Sequence, residues 1–349
     1  MLVAVLSVLA LGLSGRAMLR SADLVMGASM QQAHVDAPGT ASVEIYAGDT
    51  SAQIAQRLSQ SGAITSVRRF EILVQLLGWD RRLEPGVYSF EPGLTTLEVA
   101  RRIHFGETSP WRITIPEGLR IEQVSELLVA AEFVTADALS AALADPGNAI
   151  GTLAAERPAG VSLEGYLAPS TYSFPLGVGS SQLVRLMLER FDESLTADLR
   201  GQVASSGRSL HEILTIASII EREAALDEER SLVSAVIWNR LAIGMPLQMD
   251  STVQYALGSL PAQAERFGYW KRSLSLADLQ LESMHNTYMV DGLPPTPIAA
   301  PSVASILAAL TPADVPYLFF VARGDGSHAF ATTFEEHEQN VERYRGGSE

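Results

Sequence analysis

The chain is 349 residues long, 47% hydrophobic and 19% charged, enough for about two domains with real cores and not a disordered polymer. Its formal net charge of -15 argues against nucleic-acid binding, which needs a basic face for phosphate. The absence of cysteine excludes disulfides, thiolate metal sites, a cysteine nucleophile and a lipid-modified N-terminal cysteine, and Lys271 is the only lysine open to any amine chemistry.

Residues 1–13, MLVAVLSVLALGL, are apolar and uncharged. Arg16, Arg20 and Asp23 interrupt a second apolar stretch that ends at Met30. The first run is shorter than the roughly 17–25 apolar residues of a bilayer span. It also lacks the positive segment that opens an export signal. Two readings fit: a single membrane helix over residues 1–30, or a cleaved export signal. Both put the bulk of the chain outside the cytoplasm. Residues 31–42 are polar and rich in small side chains, as a tether would be.

Three segments then share one spacing. A strand-like run precedes Gly48, Gly93 and Gly118, and each glycine is followed at +6 and +10 by aliphatic residues. These are Ile54 and Leu58, Val99 and Ile103, Val124 and Leu128. The pattern predicts strand, glycine turn, then a helix with an apolar i, i+4 face. Thr50 and Thr95 stand where an N-cap would. Residues 72–77 and 136–143 add helical patterns. The stretch GDTSAQIAQRL resembles a LysM module, a small βααβ unit that binds glycan chains; a generic α+β packing unit fits it equally. The α+β region is drawn from residue 42 to 159, and a mixed α/β domain from 160 to 345.

The second half opens with LEGYLAPSTYSF at 163–174, followed by a long helical pattern over 180–199. Ser209 and Glu212 then form a capping-box pair ahead of ILTIASIIEREA. That helix is apolar on most faces, with a narrow polar stripe of His211, Thr215, Ser218 and Arg222. Glu221 borders the stripe. A carboxyl held out of water keeps its proton to higher pH and can hand it to a leaving oxygen. Pairing with an arginine, or emergence into solvent at the helix end, would suit Glu221 as well. Glu223 is a rival on the Ile216, Ile219 and Ile220 face.

ASIIEREA, SAVIWNRLAIGMPLQMDSTVQYALG, HNTYMVDGLPPTPIAAPS and SHAFATTFEEHEQNV follow in one order. Together they resemble the YceG-like endolytic murein transglycosylases, over residues 163–344. The resemblance implies an N-terminal membrane helix, a LysM-like subdomain and a mixed α/β catalytic domain. It implies cleavage of the MurNAc–GlcNAc β-1,4 bond in nascent peptidoglycan strands, leaving 1,6-anhydroMurNAc ends. The first acid of the family's E-[KR]-E motif, its catalytic glutamate, matches Glu221. It further implies a single-pass protein of the cell inner membrane with its catalytic domain outside the cytoplasm, and partners among glycan-polymerising synthases or penicillin-binding proteins. No cofactor is implied. The chain departs from the family pattern at Ala168, Ser170, Ser251, Ala224, Thr296, Ala300 and Ser302, the last where the family has glycine.

Tyr166, Gln248, Asp250, Asn286, Tyr288 and Glu223 lie in these motifs and are of types that contact sugars; each could instead cap a helix or satisfy a turn. Asp250 is the best second carboxylate, or an N-cap. His328 and His337 lack a third clustered histidine and an HExxH pattern, so a structural role is expected and no metal. Two other functions remain. One is a non-catalytic glycan-binding scaffold of the wall-synthesis machinery. The other is a pyridoxal-phosphate lyase, which would need Lys271 for its Schiff base.

Overall fold

The structure is a computed structural model that describes residues 41–108, 111–147, 156–174 and 178–345. The apolar segment 1–30 lies outside the described residues. Among those described, no helix is long and apolar enough to cross a membrane. The chain divides into two compact units.

One unit takes its described residues from Gly27–Thr114 and Thr171–Gly179. It opens as β1 (Ala41–Ile45), α1 (Ser51–Gln60), α2 (Val67–Leu76) and β2 (Gly86–Phe90), a βααβ order. β1 runs antiparallel to β2 with Val43 opposite Tyr88. α3 (Thr96–His104) follows, and β3 (Trp111–Ile115) pairs with β4 (Ser170–Phe174). Gly48 and Gly93 take φ of +90° and +93°, a region that glycine enters without strain, and turn each strand into its helix. Thr50 and Thr95 then cap α1 and α3, with Gln53 and Glu98 completing reciprocal capping boxes. The predicted aliphatic pairs Ile54/Leu58 and Val99/Ile103 are buried with Val43, Ile45, Phe70, Tyr88 and Phe90 in one core.

The other unit takes Ile115–Ser170 and Ser180–Glu349. The third repeat belongs here: Gly118, φ +74°, lies between β3 and α4 (Ile121–Ala130), and Val124 and Leu128 are buried. All three glycines therefore sit at strand-to-helix turns. α5 (Ala136–Ala144) packs against α6 (Ser180–Ser194). α4 and α5 therefore fall in this unit. The long pattern over 180–199 is two helices. α6 ends at Ser194 and α7 (Ala197–Ser205) restarts under the Thr196 cap, whose hydroxyl accepts the Leu199 N–H at 3.2 Å. α8 (Leu210–Glu223) begins at the expected Ser209–Glu212 capping box. A 3₁₀ turn (Asp227–Glu229), α9 (Arg230–Ala242), α10 (Asp250–Gly258), α11 (Pro261–Phe267) and α12 (Val303–Leu310) follow. The hairpin β5 (Phe319–Ala322) and β6 (His328–Ala331) precedes α13 (Phe334–Arg345).

α8 is the centre of this unit. Ile213, Leu214, Ile216, Ala217, Ile219 and Ile220 are fully buried, and α9, α10 and α12 all pack on the helix. His328 is tied to the 3₁₀ turn, its backbone N–H and Nδ1 both engaging Glu229. Among the described residues no three His, Cys, Asp or Glu side chains gather to hold a metal.

The core of the first unit yields a stability prediction. Leu58 is completely buried under the β1–β2 sheet. Leu58→Ala should destabilise that unit by about 2–5 kcal/mol, read from the denaturant midpoint, while Leu76→Ala at an exposed position stays within about 0.5 kcal/mol.

Candidate functional site

The polar stripe of α8 holds the proline-rich loop 292–302. His211 Nε2 donates to Pro295 O at 2.8 Å, because a carbonyl can only accept, and Nδ1 faces the Tyr166 hydroxyl at 2.9 Å. Ser218 Oγ accepts the Ile298 N–H at 3.0 Å. At the end of the stripe Glu221 accepts the Ser302 N–H at 3.0 Å. Prolines at 294, 295, 297 and 301 remove donors from this loop and fix φ, so its remaining N–H groups are few and each placement counts. The third-repeat turn adds a two-bond ladder: Gly118 N–H to Ala300 O and Ala300 N–H to Leu119 O, both 2.8 Å.

Glu221 is nearly buried, its side chain 9% exposed, but its surroundings are not the apolar ones expected from Ala217, Ile219 and Ile220. Oε2 accepts from Ser302 N, from Ser302 Oγ at 2.5 Å and from Ser305 Oγ at 2.7 Å. Arg230 places NH2 at 3.6 Å from Oε1 and donates from Nε to Ser305 Oγ at 3.1 Å. The arginine-paired alternative is therefore the one observed, with two serines added. Neither serine was singled out as a partner from sequence, because they come from the cap and first turn of a helix 81 and 84 residues away.

The next residue, Arg222, donates to Gly118 O at 3.3 Å and lies over the Trp270 ring at 3.9 Å. Burial brings its pKa down to about 10, against the opposing pull of Glu223 and Glu221. A Cβ on Gly118 would stand 3.3 Å from Arg222 NH1 and 3.8 Å from Glu221 Cγ, so the glycine turn closes directly on the acid. Glu223 Oε1 accepts the Ser251 N–H at 3.2 Å in the first turn of α10, where a helix end favours negative charge. Asp250 is the first residue of α10 and not its cap; Oδ1 accepts from the Tyr288 hydroxyl at 2.7 Å. Burial and then Asp250 push the Tyr288 phenol well above its usual range. Gln248 is exposed and adopts φ +51°, unusual for a residue with a side chain. Its N–H bonds Thr287 O, and the Met249 N–H bonds Thr287 Oγ1, both at 3.0 Å.

Asn286 and Tyr166 lie within the frame of the site. Asn286 is fully buried; its Nδ2 donates to Leu279 O and Leu281 O, and its Oδ1 accepts the Tyr288 N–H. Tyr166 is equally buried, packed edge-on to Phe191 and bonded to His211. Lys271 is ion-paired to Asp278 at 2.6 Å and lies over Phe267, so its amine is held in structural contacts.

Sequence reasoning missed Arg120 and Glu164. Arg120 stands where the first two repeats have threonine and is fully buried. Its guanidinium donates to Tyr255 O, Ser259 Oγ and Glu122, and stacks 4.1 Å over Tyr255. Gln123 at the capping-box position accepts both the Arg120 N–H and Trp270 Nε1, linking this turn to the ring beneath Arg222. The break in the repeat's own cap was the available signal. Glu164 accepts from the Ile121 N–H and the Tyr255 hydroxyl in full burial. Burial first, then the charge of Glu122, raises its pKa to about 8.

Two expectations follow from this frame. Gly165 takes φ +81°, and a Cβ there would lie 2.5 Å from Pro297 Cβ. Gly165→Ala should therefore displace the loop and cost about 1–3 kcal/mol in a denaturant melt. Glu164 binds its proton more tightly folded than unfolded. Its contribution to stability is complete below its ordinary value of 4.5 and is lost as pH rises through about 8. Glu164→Gln removes that loss, so the Tm of the variant relative to wild type should climb between pH 5 and pH 8.5; parallel curves would refute the assignment.

A YceG-like family model matches residues 43–343, extending the resemblance well into the first half of the chain. An endolytic murein transglycosylase of Bacillus subtilis is 30% identical over 322 residues, spanning 88% of this chain and 86% of the relative. A Streptococcus pneumoniae endolytic murein transglycosylase is 30% identical over 287 residues, 74% of this chain but half the relative's length, 50%. A crystal structure of a YceG-like protein from Listeria monocytogenes superposes with a TM-score of 0.60 at 31% identity, covering 86% of this chain and 98% of that one. With the family's pattern spanning nearly all the described residues, and with both compact units inside it, the chain belongs to the YceG-like family.

Proposed function

We propose that this protein is an endolytic murein transglycosylase in which Glu221 is the general acid and base. What supports the reading is membership of a family whose named relatives are endolytic murein transglycosylases, together with the nearly buried position of the Glu221 carboxyl at the end of α8. In the first half of the reaction Glu221 gives its proton to the glycosidic oxygen, and the bond from that oxygen to the muramic C1 breaks. The muramic 6-hydroxyl then bonds to C1, and its proton passes to Glu221. No water is consumed, the sugar ends as a 1,6-anhydro ring, and the carboxyl returns to its starting state. Arg230 offsets the negative charge that Glu221 carries between the two transfers.

Gln248, Asp250, Tyr288 and Glu223 are the groups offered for holding the glycan or its frame. The exposed side chain and left-handed backbone of Gln248 support a direct contact. The βααβ order of β1, α1, α2 and β2 supports a LysM-like reading of the first unit. Trp79 stacked on His104 at 4.4 Å, beside exposed Phe105, offers an aromatic face on which a sugar could lie. The apolar N-terminal sequence supports anchoring in the cell inner membrane with both units on its outer side, where peptidoglycan and its synthases are.

The test is product analysis by mass spectrometry after incubation with purified glycan strands. Wild type should release 1,6-anhydro ends from internal positions. Glu221→Gln keeps the shape but carries no donable proton, and should lose activity by at least about 10²–10⁴-fold while still folding. Glu223→Gln still accepts the Ser251 N–H and should cost far less. Release that survives Glu221→Gln and fails in Glu223→Gln would make Glu223 the acid. No anhydro product from wild type would favour the glycan-binding scaffold.

A further inference from the structure

One face of the first unit carries apolar side chains out into solvent. Ile72 and Leu76 lie one helical turn apart on α2, and both are exposed, Leu76 by 81%. Leu77 follows at the helix end, also exposed. Two residues on, Trp79 stacks on His104 and meets Phe105 edge-on at 6.1 Å. That contact carries the ridge across to the end of α3, where Phe105 is 61% exposed. The opposite side of α2 gives Phe70 and Val74 to the core, so folding of the unit makes no use of the outer row.

The same face is rimmed by arginine. Arg68 and Arg69 stand four and three residues before Ile72, on its side of α2, and both are exposed. Arg81 and Arg82 follow Trp79 and are exposed too. Among the described residues Arg68, Arg69 and Arg82 enter no ion pair, and Arg81 reaches only its neighbour Asp80, at 4.0 Å. Acids outnumber bases by 40 to 25 in the chain, whereas residues 67–83 hold these four arginines against Glu71 and Asp80. Unpaired guanidinium groups beside exposed leucine reverse the character of the rest of the molecule. A contiguous apolar surface with a polar rim marks a place where something docks.

We propose that this ridge docks on an anionic phospholipid bilayer, with Ile72, Leu76 and Phe105 entering the boundary between headgroups and acyl chains and Arg68 and Arg69 meeting the lipid phosphates. The inference rests on the reading of the apolar N-terminal sequence as a membrane anchor. Ten residues, 31–40, separate that sequence from β1, and ten residues span at most about 36 Å. A unit tethered so closely meets the bilayer at high effective concentration. Chemistry selects the same occupant. Guanidinium groups bind phosphate oxygens through paired hydrogen bonds, and aliphatic side chains gain by leaving water. An anionic headgroup above acyl chains satisfies both at once. A glycan would lie on the Trp79–His104 face and leave the aliphatic row of α2 in water.

The absence of cysteine makes a single-site probe possible. The full chain carrying Leu76→Cys is labelled with a polarity-sensitive fluorophore and reconstituted into vesicles of phosphatidylcholine and phosphatidylglycerol in equal parts. Its emission should shift to the blue relative to the same label at Gln56→Cys, an exposed position on α1, and relative to vesicles of phosphatidylcholine alone. Each arginine beside an anionic surface contributes about a fivefold factor, so Arg68→Gln with Arg69→Gln should weaken docking about 25-fold and return the emission to the red. All these positions are exposed, and an unchanged circular dichroism melt shows that the fold is kept. Emission at Leu76→Cys that matches Gln56→Cys, in a chain that still floats with the vesicles at high salt, would overturn the docking and leave the anchor standing. A blue shift that persists in detergent and grows with protein concentration would put a second copy on the ridge, and one that requires added glycan strands would put glycan there; either overturns the inference. A chain that fails to float would remove the anchor, and the inference with it.

Discussion

A carboxylate at the buried end of an apolar helix must be given hydrogen bonds or it will not stay there. α12 supplies them, and much of the second unit is arranged so that it can. The first turn of α12 has to meet the last turn of α8, which fixes the course of the loop 292–302 that leads into it. The prolines of that loop make it stiff, and the His211 and Ser218 contacts align it along α8 before it reaches Glu221. Gly165 lets the loop pass at a distance no other residue allows. The Gly118 turn then closes over the far side through its ladder to Ala300. Each device is local, and each ends at the same carboxylate.

How legible this was depends on the range of the interaction. The strand–glycine–helix repeat is readable because its parts lie within about ten residues. A positive-φ glycine, a cap two residues on and aliphatic side chains at +6 and +10 are all set by helix geometry. The capping box at Ser209 is readable for the same reason. The break between α6 and α7 was missed because the apolar pattern runs across it; Leu183, Met187, Phe191, Leu195 and Leu199 are all buried, and only the Thr196 cap marks the restart.

The site was legible in its residue types but not in its pairings. Glu221 and the polar stripe could be named from α8 alone, yet Ser302, Ser305 and Arg230 are partners brought by packing. Sugar-binding chemistry was read from side-chain type alone: Asn286 and Tyr166 have suitable groups, and in the structure these meet the backbone carbonyls of Leu279 and Leu281, and His211. A polar residue within a motif can be there to hold the chain together, and only burial separates the two uses. Arg120 shows the reverse case. It breaks the repeat because the third turn has to hold α10, through Tyr255 and Ser259, as well as start α4.

The acid–base–acid order of Glu221, Arg222 and Glu223 has a geometric meaning that no single residue reveals. Successive side chains on an α-helix fan out by about 100°, so three in a row at a helix end face three directions. Glu221 turns to the start of α12, Arg222 to the carbonyl of the Gly118 turn, and Glu223 to the start of α10. The charges match their targets: the two carboxylates meet N–H groups in the first turns of helices, and the guanidinium meets a carbonyl. A reversal of sign at any of the three positions would set like against like. The tripeptide thus ties three separate segments to the end of one buried helix. Glu221 and Glu223 cannot be exchanged, because their partners differ: Glu223 is held by a backbone N–H that any acceptor satisfies, whereas Glu221 is held by hydroxyls and faced by Arg230.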